Sequence, residues 1–244
     1  MTPAVEKQFL RNLAAAPIHT APYPHIYVPE IFPAEFYAEL QRNIPDPQAM
    51  LPIGEARPVK GYDKRFVLDP NGPMDGLTET QTAFWRSLSE TLMSGRLRDQ
   101  LAAKFAAYLK QRFKGWSEVE LYDETLLVQD ITKYSLGPHT DTPSKVITVL
   151  FYLPPDTSQA HMGTSIYTPK DPTSYCSGGP HYGFEQFDLF ATMPFVPNAM
   201  FAFVKTNQSF HGVEPVTDPD VRRWLLLYDI RVRPLKPQSP VAQS

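Results

Sequence analysis

The sequence predicts an α+β chain in which helices buttress a β-sandwich or barrel. Three observations carry that prediction. The first part of the chain repeats apolar residues at helical spacing. From about residue 119 the texture changes to short β-branched or aromatic runs. These are "VELYDETLLVQDITKYS", "KVITVLFYLP", "GTSIYTP", "AMFAFVKT" and "RRWLLLYDIRV", separated by Gly, Pro, Asp and Asn. Finally, 26 of the 244 residues are proline, about twice average usage. They are scattered among aromatics, which marks ordered turns between short strands rather than a disordered tail.

Taken in order, Val5, Phe9, Leu10 and Leu13 give a first helix one apolar face. "YPHIYVPEIF" reads as a proline-bounded strand. Pro33 can start the next helix, because the first turn has no use for its missing N–H; Phe36, Tyr37 and Leu40 give that helix its face. Residues 78–113 form the longest helical pattern. Phe84, Trp85, Leu88 and Leu92 mark one stripe, and Leu97, Leu101, Phe105, Tyr108 and Leu109 a second. Gly95 separates two helices here or kinks one. Both stripes read as core faces packed on a sheet. Only the end, "PLKPQSPVAQS", reads as a frayed tail.

Composition excludes several function classes. With 42% hydrophobic residues the chain can bury a full core. A net charge of -3 with both signs mixed gives no basic footprint for nucleic acid and no cationic face for a membrane. The single cysteine, Cys176, rules out an internal disulfide and a four-thiolate zinc site. Glu6, Lys7 and Arg11 interrupt the N-terminal segment, which lacks the apolar core of a signal peptide. No apolar run is long enough to span a bilayer, so the cytoplasm is the expected location.

The chemistry-bearing residues lie in the second half. In "YSLGPHTDTPSK", His139 and Asp141 stand two positions apart. Residues i and i+2 of an extended chain project to the same side, so the pair can aim an imidazole and a carboxylate at one ion. Alone the motif is weak. His211, in "SFHGVEPV", follows the strand "AMFAFVKT" and stands in the loop after it, where it can add a third ligand from a neighbouring strand. Two histidines and a carboxylate on one face of an ion leave three positions open, the arrangement of non-haem Fe(II) oxygenases. A structural zinc site would be closed by four ligands. Further on, Arg222 and Arg223 open an apolar strand. A guanidinium entering a barrel needs an anionic partner, and the distal carboxylate of a dicarboxylate cosubstrate matches the arginine fork.

His139-x-Asp141, then His211 in "HGVEPV", then the Arg222-Arg223 strand resemble, in order and spacing, the Fe(II)- and 2-oxoglutarate-dependent dioxygenase superfamily, and within it the prolyl-hydroxylase-like branch. The resemblance covers residues 119–232, nearly half the chain. It implies a double-stranded β-helix, or jelly roll, with iron at one open end. The chain then divides into an N-terminal segment, 1–118, packing on a catalytic core, 119–232, with a tail, 233–244, all as one integrated domain. His139, Asp141 and His211 are the implied iron ligands. Arg223 is the implied 2-oxoglutarate arginine, with Arg222 the alternative if the register shifts by one. Tyr134 matches a tyrosine that in some members helps hold 2-oxoglutarate. Fe(II), 2-oxoglutarate and O2 are the implied cofactor and cosubstrates. Halogenating members replace the carboxylate ligand with a small residue; Asp141 therefore favours hydroxylation, with desaturation or ring formation also open.

The rival readings are a non-catalytic or degenerate jelly-roll metal-binding protein and a cupin-type isomerase, which would use a more histidine-rich ligand set. A small-molecule substrate is expected, and a protein side chain stays open. Tyr167, Tyr175, Tyr182, Phe184, Phe187 and Phe190, within the long segment from about Pro154 to Pro197, are candidates to line or cover the pocket. His161 and His181 read as loop or pocket histidines, and with Cys176 match no usual metal spacing. His19 and His25 read as structural, and Trp224 as a packing residue.

Overall fold

The structure, a computed structural model, describes residues 1–57, 62–92, 94–113 and 119–233. Helix α1 (Pro3–Ala15) is capped by the Thr2 hydroxyl, which accepts from the Val5 N–H, and buries Phe9 and Leu13. Strand β1 (His25–Val28) follows, then α2 (Ala34–Arg42), which buries the Phe36, Tyr37 and Leu40 face. Two short strands, β2 (Leu51–Pro52) and β3 (Arg65–Leu68), flank the single-turn α3 (Ile53–Ala56). Residues 78–113 hold three helices rather than two: α4 (Glu79–Leu92), α5 (Arg96–Lys104) and α6 (Ala106–Arg112). Gly95 makes the first break at φ 89, a left-handed angle that glycine adopts freely. The second break, at Phe105, has no glycine or proline to announce it; that ring is fully buried and ends one helix while starting the next.

The described residues of the second half hold eight strands: β4 (Leu121–Ile131), β5 (Leu136–His139), β6 (Lys145–Tyr152), β7 (Thr164–Pro169), β8 (Phe187–Met193), β9 (Met200–Val204), β10 (His211–Val213) and β11 (Arg222–Val232). They form two antiparallel sheets. The larger runs β1-β9-β6-β11-β4-β3-β2 and the smaller β5-β10-β7-β8. The expected sandwich is therefore present, but its larger sheet also takes β1, β2 and β3 from the first half. Of these, β2 and β3 carried no readable strand signal, being short and lying among turn residues. His211 opens β10 rather than standing in a loop. The stretch between Pro154 and Pro197 contains β8 as well as β7, so it is less irregular than its glycines suggest. The expected tail beyond Arg233 lies outside the described residues.

Period-two alternation on β11 decides what each residue faces. Trp224, Leu226, Tyr228 and Ile230 join the cluster in which Phe9, Trp85, Leu101 and Phe105 of the helices meet Leu127 and Phe151 of the sheet. The opposite face holds Leu225 in a second cluster with Val128, Leu150, Phe201 and Phe203. Arg223 shares that inner parity, and Arg222 does not. Among the described residues, no helix is long and apolar enough to cross a membrane.

Candidate active site

The smaller sheet brings His139 and His211 together. Its β5 and β10 are antiparallel neighbours, and the two histidines are Cα partners in their register. Their rings lie 4.3 Å apart, centroid to centroid. Asp141 follows β5, with Oδ2 3.9 Å from the His211 Nε2. One ligand atom from each of the three residues lies within 4.8 Å of the others, and all three side chains are buried. Both imidazoles use the same local device: Nδ1 donates to the carbonyl two residues back, 3.0 Å to Gly137 for His139 and 3.0 Å to Ser209 for His211. A carbonyl can only accept, so Nδ1 carries the proton and each Nε2 offers a lone pair. Oriented imidazoles of this kind are the usual metal ligands.

The charges around the triad keep it ready for a cation. Burial holds His139 well below its ordinary pKa, with His211 adding to the effect. Burial likewise lowers His211. Both are therefore neutral near pH 7. Burial alone would raise Asp141, but Lys145, His211 and His139 override it and hold the carboxyl below the usual carboxylate range. Lys145 Nζ sits 3.0 Å from Asp141 Oδ1 and 3.0 Å from Asp229 Oδ2, and the Thr148 hydroxyl donates to Asp141 Oδ2 at 2.7 Å. Two neutral imidazoles and one anchored carboxylate suit a divalent ion with open positions. No fourth residue completes a closed site among the described residues.

A cavity of about 100 Å³ runs from the triad between the sheets. Arg223 and Arg65 line it together with Thr164, Leu225 and Leu227. The Arg223 side chain is 1% exposed, and its Nη1 donates to Asp130 Oδ2 at 2.7 Å while Nε donates to the Met162 carbonyl at 2.7 Å. Arg65, from β3, grips the same carboxylate with Nε and Nη2, at 2.7 and 2.9 Å. The anionic partner that a buried arginine requires is thus already in the chain, as Asp130. Two guanidinium groups still share that one carboxylate, which leaves a surplus positive charge at this end of the cavity. Such an end suits the distal carboxylate of a dicarboxylate.

No protein-family profile matches the sequence, and no curated protein matches it. Solved structures do. A prolyl hydroxylase from Trichoplax adhaerens, in complex with a peptide fragment of the hypoxia inducible factor oxygen degradation domain, aligns at TM-score 0.51 and 13% identity, covering 93% of this chain and 88% of that one. The epimerase SnoN from nogalamycin biosynthesis, in complex with Fe3+, alpha ketoglutarate and nogalamycin RO, aligns at TM-score 0.50 and 13% identity, covering 100% of this chain and 93% of that one. The chain has the fold of the 2-oxoglutarate–Fe(II) oxygenases. At such identity the likeness speaks for the fold, and the site rests on its own residues.

In this oxygenase fold the other sequence candidates divide sharply. Arg222 is exposed and donates Nη1 to Gln129 Oε1 at 3.2 Å. Tyr134 is buried and is not part of the cavity wall. The Arg65 guanidinium lies 4.6 Å from its ring centre, and its hydroxyl has no partner among the described residues. None of the six aromatics expected over the pocket lines it. Tyr167 and Phe187 are buried with Cys176 and Phe210 in a cluster of their own, with Tyr182 and Phe184 packed against it. Tyr175 and Phe190 are exposed. Their spacing in sequence could not say which sheet edge they cover. His161 is exposed and meets Asp218 at 3.3 Å. His19 and His25 stack on each other, consistent with a structural role. His181 is the one loop histidine near the triad: its ring lies 4.6 Å from that of His139, and its Nε2 is 3.1 Å from the Tyr62 hydroxyl. Lys145, Thr148, Arg65 and Tyr62 line the cavity and Asp130 pairs with two of its arginines, and sequence reading missed all five. Only Lys145 had a visible cue, as the last letter of the stretch that begins at Tyr134.

Proposed function

We propose that the protein is an Fe(II)- and 2-oxoglutarate-dependent oxygenase that hydroxylates an organic substrate. The observation that carries this reading is the pairing of two ends in one cavity. An open three-ligand set stands at one end, and a surplus guanidinium charge at the other. His139 and His211 would hold the metal through Nε2, and Asp141 through a carboxylate oxygen. Arg223 would take the distal carboxylate of 2-oxoglutarate, backed by Thr164, whose Oγ1 lies 3.4 Å from Nη2. When bound, iron and 2-oxoglutarate supply the O2-activating chemistry, with oxidative decarboxylation to succinate. The chain's own task is to orient the two ligands and exclude water. Leu136, Leu150, Val213, Leu225 and Leu227 line the cavity and keep it largely apolar between its charged ends. Lys145 and Thr148 fix the direction of Asp141.

Hydroxylation is the reaction we read, because the carboxylate ligand is present and leaves no vacancy for a halide. A small molecule is the substrate class we favour, since so narrow a cavity admits a peptide only across its mouth. The test is an anaerobic Fe(II)-loaded sample given 2-oxoglutarate and then O2, with succinate and substrate oxidation followed across metabolite and peptide panels. Stoichiometric succinate with one hydroxylated class supports the reading. Absence of both 2-oxoglutarate binding and succinate would sink it, and would favour a metal-binding jelly roll without catalysis.

A further inference from the structure

The charge ledger of the cavity points beyond the single arginine of the reading above, on which this inference rests. At the triad end, Lys145 is matched by Asp141 and Asp229. At the far end, Arg65 and Arg223 are matched, among the described residues, only by Asp130, whose side chain is fully buried. The Arg65 Nε and Nη2 are spent on Asp130, and no described residue accepts from its Nη1. The hydroxyl of Tyr134, under the same guanidinium, is likewise without a partner. A buried ion triad that serves structure alone gains by being neutral, because each uncompensated charge carries a desolvation cost of several kcal/mol. This triad is not neutral, and both of its cations line the cavity.

We propose that Arg65 is a second cosubstrate-selecting residue, and that the surplus charge it creates over Asp130 makes the pocket prefer a 2-oxo dicarboxylate over a 2-oxo monocarboxylate. Arg223 alone would be neutralised by Asp130 and would offer an incoming anion little net attraction. Arg65 supplies the missing positive charge, from a strand of the N-terminal segment, outside the region that carries the sequence resemblance. Its Nη1 is the donor left over for the distal carboxylate.

The test compares 2-oxoglutarate with 2-oxovalerate, which keeps the 2-oxo acid head and lacks the distal carboxylate. Binding of each to anaerobic Fe(II)-loaded protein is measured by titration calorimetry, without turnover. Arg65→Met should reduce the preference for 2-oxoglutarate by on the order of tenfold to a hundredfold, the range for a hydrogen bond to a charged group. It should leave 2-oxovalerate binding nearly unchanged. The double variant Arg65→Met/Asp130→Asn returns the far end to one net positive charge and should regain part of the preference, the share that net charge supplies without the Nη1 hydrogen bond. Asp130→Asn alone leaves two uncompensated cations and should raise the preference above wild type, which keeps the idea testable if Arg65→Met does not fold. A purely structural triad would weaken both ligands together and would show no rescue in the double variant. Wild-type protein that binds no 2-oxoglutarate overturns the oxygenase reading and this inference with it. Normal wild-type binding with an unchanged preference in Arg65→Met overturns this inference alone.

Discussion

Arg222 and Arg223 are adjacent in the chain, yet one lies in solvent and the other is buried against Asp130. Arg223→Ala should therefore weaken 2-oxoglutarate binding by about 2–5 kcal/mol, the usual range for truncating one member of a buried charge pair. Arg222→Ala should leave the dissociation constant within error. Separate calorimetric titrations check this, and a larger effect at Arg222 would shift the register of the strand. The buried histidines make a second prediction. Burial lowers the pKa of His25, His139 and His211. Each binds its proton in the unfolded chain near pH 6.5, and only at lower pH when folded. Their contribution to stability is thus complete above about 6.5 and is lost as pH falls below it. Thermal melts of metal-free protein should be level from pH 8 to 7 and drop steadily from 6.5 to 5.5. A melting temperature that rises in that window would contradict the burial of these rings.

At the scale of the element, the site depends on how closely β5 and β10 approach. A Cβ added at Gly212 would strike the Leu136 carbonyl oxygen of the neighbouring strand. Gly212→Ala should cost about 1–3 kcal/mol, as overpacking does, and should part the strands that hold the two histidines. Its signature is a loss of Fe(II) affinity out of proportion to the loss of stability. Equilibrium metal titration beside urea unfolding measures both, and full metal affinity in the variant would show that the register has slack. The triad itself is tested the same way: His139→Ala, Asp141→Ala and His211→Ala should each abolish tight Fe(II) binding, because no fourth ligand completes the cluster among the described residues.

At the scale of the whole molecule, helix α1 adds no residue to the cavity wall but sends Phe9 and Leu13 into the main core. The Phe9 ring stacks on Phe32 at 5.1 Å and meets Phe151 of β6 at 6.0 Å. Phe9→Ala should cost about 3–5 kcal/mol of folding stability through the cavity it leaves. Metal and 2-oxoglutarate affinities of the folded fraction should be unchanged, as chemical denaturation and calorimetry will report. Tyr175→Ser is the contrast: that ring is 71% exposed, and its loss should fall within about 0.5 kcal/mol of neutral. If the two variants behave alike, the helical layer is not integral to the core.

Local pattern determined much of this protein. Period two marked most of the core strands and put Arg223, Leu225 and Leu227 on one side of β11. Helical spacing marked Phe9, Leu13, Trp85 and Leu101 as core. The order His-x-Asp, His, Arg named the residues that now meet around one cavity. These features were legible because each depends on neighbours in sequence or on a spacing that survives folding. The break at Phe105 and the strands β2 and β3 were not legible, since packing rather than local propensity decides them. Nor was the arginine pair at the cavity. Arg222-Arg223 is the visible pair, but the pair that lines the cavity is Arg65 with Arg223, joined through Asp130. Electrostatic partnership is set by distance in space, and antiparallel pairing of β3 with β4 sets Arg65 opposite Asp130 in register. The same pairing of distant strands sets His139 opposite His211, and gives the cavity a charge that no count of residues along the chain contains.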